Sequence, residues 1–572
     1  MKILLAGINA KYIHSCLAVH SLARYAKKEY GLAVRTAEYT INQLREDVLA
    51  DLYRQSPDLL GLSCYIWNIG FIRPLVRELK QVLPGLKILL GGPEVSYDPE
   101  EALSYGADFV LSGEGEESFS QLCLALEKGA PLSGVPGLAW REDGVFRRNP
   151  PPAPLDLARL PFVYEDLSLF ADRILYYEAQ RGCPFNCQYC LSSVDKGVRF
   201  QPVEKVEREL QVFLDAKVRQ VKFVDRTFNA NPRFAMTIWR FLHEHDNGVT
   251  NFHFELAAEL MNDEMLEFLT QVRPGLFQFE IGVQTTYLPT LDAIDRRSSF
   301  AELTRKVRAL QRGKNIHLHL DLIAGLPYES FAQFRQSFND VYGLSPDQFQ
   351  LGFLKLLKGS GLRRDSAKYG IHAREDAPYE VLYTDALPYS DMLRLKDVES
   401  VVDGYHNTCQ FVTGLRYLAS LAETPFDFYL GFSEYCRRNG HFDRPPARIG
   451  RFEALYDYGC SMPGCDREKL AWLLKYDLCG REKPKKLPVW MPDGTGDKAR
   501  IYRFYEHEEN LMRYLPEYAG QEFKLTARMA HLEIFPFDPE TGKAGETAVL
   551  FNYRRNDILD NAFRVFLSPE EL

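Results

Sequence analysis

The chain has 572 residues, 46% hydrophobic and 26% charged, with a formal net charge of −9. That length exceeds what one hydrophobic core holds and predicts three or four domains of ordinary globular composition. The negative balance argues against a broad nucleic-acid-binding face, and no run of about 18 apolar residues offers a membrane span.

The opening "MKILLAGINAKYIH" reads as a first strand, not a signal peptide, because no small-residue cleavage site follows it. Over residues 1–145, short apolar runs such as "DLLGLSCYI", "LKILLGGPEV" and "ADFVLSGEGEESF" alternate with amphipathic helices. The alternation predicts a doubly wound, Rossmann-like parallel sheet. Its turns at 7–15, 63–68, 91–97 and 112–117 fall at the carboxyl ends of the strands, where such sheets bind ligands.

Five prolines between 150 and 161 mark a linker over 146–172. From 173 to 365 the alternation resumes with "ILYYEAQ", "QVKFVDRTF", "NFHFELAAE", "LFQFEIGVQ", "IHLHLDLIAGLP" and "DQFQLGFLKLLKG". Six βα units predict a partial (β/α)6 barrel of TIM type, with its chemistry at the carboxyl face. Residues 366–572 are irregular and aromatic-rich and read as an α+β region, helical after Thr408 and forming strands over 523–553. Its cysteines, Cys409, Cys436, Cys460, Cys465 and Cys479, match no dense metal pattern and read as isolated thiols. Eleven cysteines in all, odd in number and unevenly spaced, suit metal use in a reducing cytoplasm better than a disulfide scaffold.

The first predicted barrel strand leads into "CPFNCQYC", with Cys183, Cys187 and Cys190 inside eight residues. Thiolates bind zinc or iron–sulfur clusters, but a structural zinc ion wants a fourth ligand and none lies close after Cys190. Three thiolates on a 4Fe–4S cluster leave one iron open to a substrate or cofactor. The segment resembles the C-x3-C-x2-C signature of the radical S-adenosylmethionine enzymes, including the aromatic Tyr189 before the last cysteine. The resemblance makes the three cysteines cluster ligands and catalytic residues. It implies that S-adenosylmethionine chelates the open iron and is cleaved reductively to a radical that abstracts hydrogen from substrate. It also implies that Tyr189, Asp225, Gln284, Arg296, Asp321 and Gly325 position S-adenosylmethionine. Taken singly, each polar residue of that set is equally a strand-end hydrogen-bonding group.

The segments 86–103 and 107–119 resemble the cobalamin-binding domain found before some radical S-adenosylmethionine cores, although the turns alone would also suit a nucleotide. The resemblance places cobalamin against Asn9, Tyr12, His14, Ser63, Tyr65, Gly91, Gly92, Pro93, Gly113, Glu114 and Gly115. One departure is plain: no Asp-x-His occurs in the chain, so His14 lacks the carboxylate that would orient a cobalt-bound imidazole. Cobalamin is therefore expected without a protein imidazole on cobalt. In this family that goes with methyl transfer, here to an unactivated carbon of a small-molecule or peptide substrate. A rearranging or ring-forming enzyme and a non-catalytic cobalamin or redox sensor are the rival readings. The expected electron donor is a flavodoxin or ferredoxin, and the expected compartment is the cytoplasm. The whole layout resembles bacterial cobalamin-dependent radical enzymes with a C-terminal domain of unknown function.

Overall fold

A computed structural model describes residues 1–194, 197–493, 498–556, 559, 561–568 and 572. Strands β1 (Ile3–Asn9), β2 (Val34–Thr40), β3 (Leu59–Ser63), β4 (Lys87–Gly91) and β5 (Phe109–Leu111) run parallel in the order β2-β1-β3-β4-β5. Alternate residues of these apolar strands feed two cores. Leu4, Ala6 and Ile8 pack with the helices Arg45–Gln55 and Ile69–Val82. Ile3 and Leu5 pack with Leu17–Tyr30 and Gly115–Lys128 on the other face. The strand order reverses between β1 and β3, and the crevice beyond the strand ends opens there.

An antiparallel pair, β6 (Leu138–Glu142) and β7 (Val145–Arg148), widens the sheet. The sheet therefore runs three residues into the stretch expected to be linker from 146. The prolines do not hang free either: Leu155, Leu157 and Leu160 behind them pack on Tyr25 of the first helix.

The predicted strand 174–180 divides in two. β8 (Leu175–Tyr177) joins the barrel sheet, whereas β9 (Gln180–Cys183) turns away and pairs antiparallel with β10 (Gly197–Phe200). β11 (Gln220–Phe223), β12 (Asn251–Leu256), β13 (Phe277–Gln284), β14 (His317–Ala324) and β15 (Gln348–Phe353) complete six parallel strands from β8 to β15. Period-two alternation sorts their side chains. In β13, Phe277, Phe279, Ile281 and Val283 enter the apolar core under the helices, leaving Gln278, Glu280, Gly282 and Gln284 on the opposite, interior face.

β16 (His372–Ala373) and β17 (Val381–Tyr383) open the C-terminal region. Its helices Tyr389–Val401, Val412–Ala419, Pro425–Arg438, Arg448–Ser461 and Arg467–Cys479 bury residues such as Leu395, Leu415, Phe426, Leu455 and Leu474 in the barrel's own core. A three-stranded antiparallel sheet, β18 (His531–Phe537), β19 (Ala544–Asn556) and β20 (Ala562–Leu567), closes it. Residues 523–529, expected as strand, form a helix, in keeping with the Lys-Leu-Thr-Ala-Arg-Met run of mostly good helix formers. Cys479 lies beside His531 and Glu533. The buried Lys475 ammonium, 2.9 Å from the Glu533 carboxylate, already neutralises that charge. Among the described residues no helix is long and apolar enough to cross a membrane.

Glu329, after β14, is 1% exposed; it accepts hydrogen bonds from Thr285 (2.5 Å) and Ser337 (3.1 Å). Burial pushes its carboxyl up to about 7 against those two donors. The folded state thus binds this proton more tightly than the unfolded chain does. The stability it contributes, roughly 3 kcal/mol, is complete below the ordinary carboxylate value and is lost as pH rises through about 7. Thermal unfolding across pH should show wild type losing stability relative to Glu329→Gln over that window. Parallel curves for the two proteins would contradict it.

Candidate functional site

Two cavities lie at the ends of the two sheets. The first, about 560 Å³, opens beyond β1, β3, β4 and β5. Ser63, Tyr65, Gly91, Gly92, Pro93, Gly113, Glu114 and Gly115 all line it, as the turns predicted. Gly92 stands at φ 109°, and a Cβ there would lie 2.6 Å from the Cys64 carbonyl oxygen, so only glycine lets the loop after β4 press against β3. Tyr65 stacks on Trp67 at 4.3 Å and Tyr97 forms another wall. Leu5, Gly61, Leu89 and Leu111 carry the cavity down along the sheet as an apolar slot. The strand pattern marked these positions only as core.

Asn9, Tyr12 and His14 do not reach this cavity. They dock the first loop on the barrel. Asn9 donates to Glu38 at 2.6 Å, and Arg173 reaches the same carboxylate at 2.7 Å and covers the Tyr12 ring. His14 Nδ1 lies 2.7 Å from the Tyr176 hydroxyl on β8, and burial lowers its pKa. The two backbones also touch here, since Ile174 N–H donates to the Ile13 carbonyl at 2.8 Å.

The second cavity, about 190 Å³, lies at the carboxyl end of the barrel strands. Cys183, Cys187 and Cys190 line it together with Tyr189, Gln284, Arg296 and Asp321. Arg296 bridges the site: Nη1 donates to Cys187 Sγ at 3.7 Å and Nη2 to the Gly282 carbonyl at 2.5 Å. Burial raises the Cys187 thiol, and the Arg296 charge opposes it. A register shift between Gly282 and Gln284, with Gln284 at φ 71°, re-aims the strand end where Gln284 meets the cavity.

Asp321 is raised by burial, and His319 at 2.7 Å opposes that rise. Glu255 is likewise raised by burial, against Arg226 at 3.6 Å. Asp321, Glu255 and Glu280 give the cavity three carboxylates, and Arg296 Nε is buried without a hydrogen-bond partner. Three thiols at one end and acidic walls fit a cluster with a cationic amino-acid sulfonium beside it.

Two expected residues lie elsewhere. Asp225 is buried behind the cysteine strand, where it accepts from Ala179 N–H at 3.2 Å, and burial holds its carboxyl far above the usual range. Its neighbours Arg226 and Thr227 line the cavity instead, Thr227 Oγ1 lying 3.5 Å from Cys183 Sγ. Gly325 faces Val381 and Met392 of the C-terminal region, because the chain has already bent away from the strand end. Glu255 and Glu280 escaped the sequence reading, although a single acid in each of two aromatic strands, "FHFE" and "FQFE", is a legible signal.

The cavities are joined by charge. Arg181, two residues before Cys183, pairs with Glu178 at 2.8 Å, Glu116 at 2.9 Å and Glu114 at 3.3 Å. Glu114 also takes Arg199 and the Leu155 N–H. Burial alone would lower Arg181 and raise Glu114; the opposite charges more than offset it and keep both ionised.

The N-terminal sheet matches the B12 binding domain over residues 3–123, the barrel the radical SAM superfamily over 177–341, and residues 367–551 a protein family of unknown function, DUF4080. This chain belongs to the cobalamin-dependent radical S-adenosylmethionine enzymes. It is 28% identical over 309 residues to the 2-(S-pantetheinyl)-carbapenam-3-carboxylate methyltransferase of Streptantibioticus cattleyicolor, covering 50% of this chain and 45% of that one. It is 25% identical over 460 residues to the cobalamin-dependent radical SAM methyltransferase TokK of Streptomyces tokunonensis, covering 71% and 65%. The matches thus span less than two thirds of the length of these relatives. Its fold superposes on TsrM of Kitasatospora setae with a TM-score of 0.58 at 16% identity, covering 77% of this chain and 100% of that one.

In this family the first cavity is the place to look for cobalamin, and no histidine among the described residues lines it. Cob(II)alamin bound to the chain should therefore show no nitrogen superhyperfine splitting from protein in its electron paramagnetic resonance spectrum, in wild type and in His14→Ala alike. A splitting that disappears in His14→Ala would contradict this.

Proposed function

We propose that this protein is a cobalamin-dependent radical S-adenosylmethionine methylase acting on an unactivated carbon of a small-molecule or peptide substrate. The observation that carries the reading is the juxtaposition of the two cavities through Arg181: its partners Glu114, Glu116 and Glu178 line the first, and Cys183, two residues on, lines the second. The likeness to the carbapenam-carboxylate methyltransferase and to TokK, both methyltransferases, supports the same reaction class.

In this reading Cys183, Cys187 and Cys190 hold a 4Fe–4S cluster. Bound there, the cluster and S-adenosylmethionine supply one-electron reductive cleavage and hydrogen abstraction, and cobalamin supplies the methyl group. The residues of the chain bind and orient. Arg296 places positive charge on a cluster thiolate, which favours the ionised ligand. Gln284, Glu255, Glu280 and Asp321, the last held by His319, line the same cavity and would hold S-adenosylmethionine there, the carboxylates answering its positive charge. The apolar slot along Leu5, Gly61, Leu89 and Leu111 and the loops at Ser63, Gly91–Pro93 and Gly113–Gly115 would together hold cobalamin. A cytoplasmic flavodoxin or ferredoxin supplies the electrons.

Anaerobic reconstitution with cobalamin, reductant, a host metabolite extract and methyl-labelled S-adenosylmethionine tests the reading. Label should enter a single extract component as 5′-deoxyadenosine accumulates. Cys183→Ala, Cys187→Ala and Cys190→Ala should each lose the cluster's visible absorbance and all reductive cleavage. 5′-Deoxyadenosine without methyl incorporation would overturn the methylase assignment, and full cleavage by the cysteine variants would overturn the cluster assignment.

A further inference from the structure

The wall of the first cavity that carries Tyr97 is held from outside its own domain. The loop Gly91–Tyr97 leads into the short helices Pro93–Ser96 and Pro99–Leu103, whose backs face the end of the barrel and the start of the C-terminal region. Glu94 is 5% exposed, and its carboxylate accepts a hydrogen bond from the hydroxyl of Tyr379, itself buried. Lys358, also buried, bonds Glu101 and lies 3.9 Å from Glu94. Arg73 ties Glu101 (3.1 Å) and the Tyr105 hydroxyl (2.8 Å) into the same set. Burial raises the Glu94 carboxyl, against the Tyr379 hydroxyl and the Lys358 charge, so this acid depends on its partners.

Those partners are rigidly mounted. Leu356 N–H donates to the Tyr379 carbonyl at 3.0 Å, and Val381 N–H to the Leu354 carbonyl at 2.9 Å, so residues 379–381 are stitched to the chain leaving β15. Arg363 covers the Tyr379 ring at 4.9 Å. Between Lys358 and this anchor the chain touches the cavity wall itself. A Cβ on Gly359 would lie 2.4 to 2.6 Å from three carbons of the Tyr97 ring, so the ring rests on a bare backbone. Gly359 also has φ 87°.

We propose that Gly359, Lys358 and Tyr379 are positioning residues for cobalamin: Gly359 seats the Tyr97 ring, while Lys358 and Tyr379 fix Glu94 and Glu101 behind it, so that the loop Gly91–Tyr97 presents a formed wall to the corrin. Through Tyr379 this assigns a task to the C-terminal region of unknown function, while Lys358 and Gly359 belong to the chain leaving the barrel. It rests on the first cavity being the cobalamin site.

Full-length protein, titrated with hydroxocobalamin under equilibrium dialysis, gives the test. Tyr379→Phe strands the Glu94 carboxylate and Gly359→Ala drives a methyl group into the Tyr97 ring. Each should weaken cobalamin binding about tenfold, the size of one lost buried hydrogen bond or one tight contact. Cluster absorbance and reductive cleavage of S-adenosylmethionine in the absence of cobalamin should match wild type. The Gly359→Ala loss should shrink when Tyr97→Ala is the background, because the clash has no partner there and only the strain of alanine at φ 87° is left. Wild type that fails to bind cobalamin would remove the underlying site assignment. Wild type that binds, with variants binding equally well or with Gly359→Ala weakened to the same extent regardless of Tyr97, would overturn the positioning role alone.

Discussion

Arg181 sits where two folds meet. Its guanidinium is shared among Glu178 of its own loop and Glu114 and Glu116 at the start of the helix Gly115–Lys128 of the first domain. A cation in that position is held by geometry as much as by charge. Losing it would leave three carboxylates facing one another in a half-buried crevice, a situation proteins avoid at a cost of several kcal/mol. The chain direction then does the rest: β9 carries the backbone from Arg181 to Cys183, so whatever fixes the guanidinium also fixes the first cysteine. The loop that offers Gly113 and Gly115 to the first cavity is pinned by the same carboxylates.

Around that point the structure repeats one device, an ionic or hydrogen-bonded contact between domains placed at a loop that follows a strand of the first sheet. Glu38 gathers Asn9, His20 and Arg173 where the first loop meets β8. Glu94 and Glu101 gather Tyr379, Lys358 and Arg73 on the other flank. The helices of the C-terminal region share the barrel's apolar core, so they are part of one packed body with it. The first domain is thus held at three places, two of them behind loops that line its cavity, and the two sites are kept in register.

Much of this was legible in the chain because it is local. The cysteine spacing is a property of eight consecutive residues, and the strand–helix alternation follows from periods of two and 3.6. The glycine turns after β4 and β5 declare close approach on their own. What the sequence hid is non-local or depends on a bend. Arg181 meets Glu116 across 65 residues and Tyr379 meets Glu94 across 285, and no periodicity encodes such pairs. Asp225 and Gly325 were placed at the second cavity by the family resemblance; here the carboxylate of one is buried behind the cysteine strand and the other faces the C-terminal region. His14 lacked an orienting carboxylate in the sequence, and the structure adds its partner, the Tyr176 hydroxyl.

The central claim is that Arg181 holds the two cofactor sites at one fixed separation. Pulsed dipolar electron paramagnetic resonance between cob(II)alamin and the reduced cluster measures that separation directly. The account predicts a single narrow distance in wild type that broadens in Arg181→Gln while both centres remain bound. A broad distribution in wild type, or an unchanged narrow one in Arg181→Gln, would contradict it.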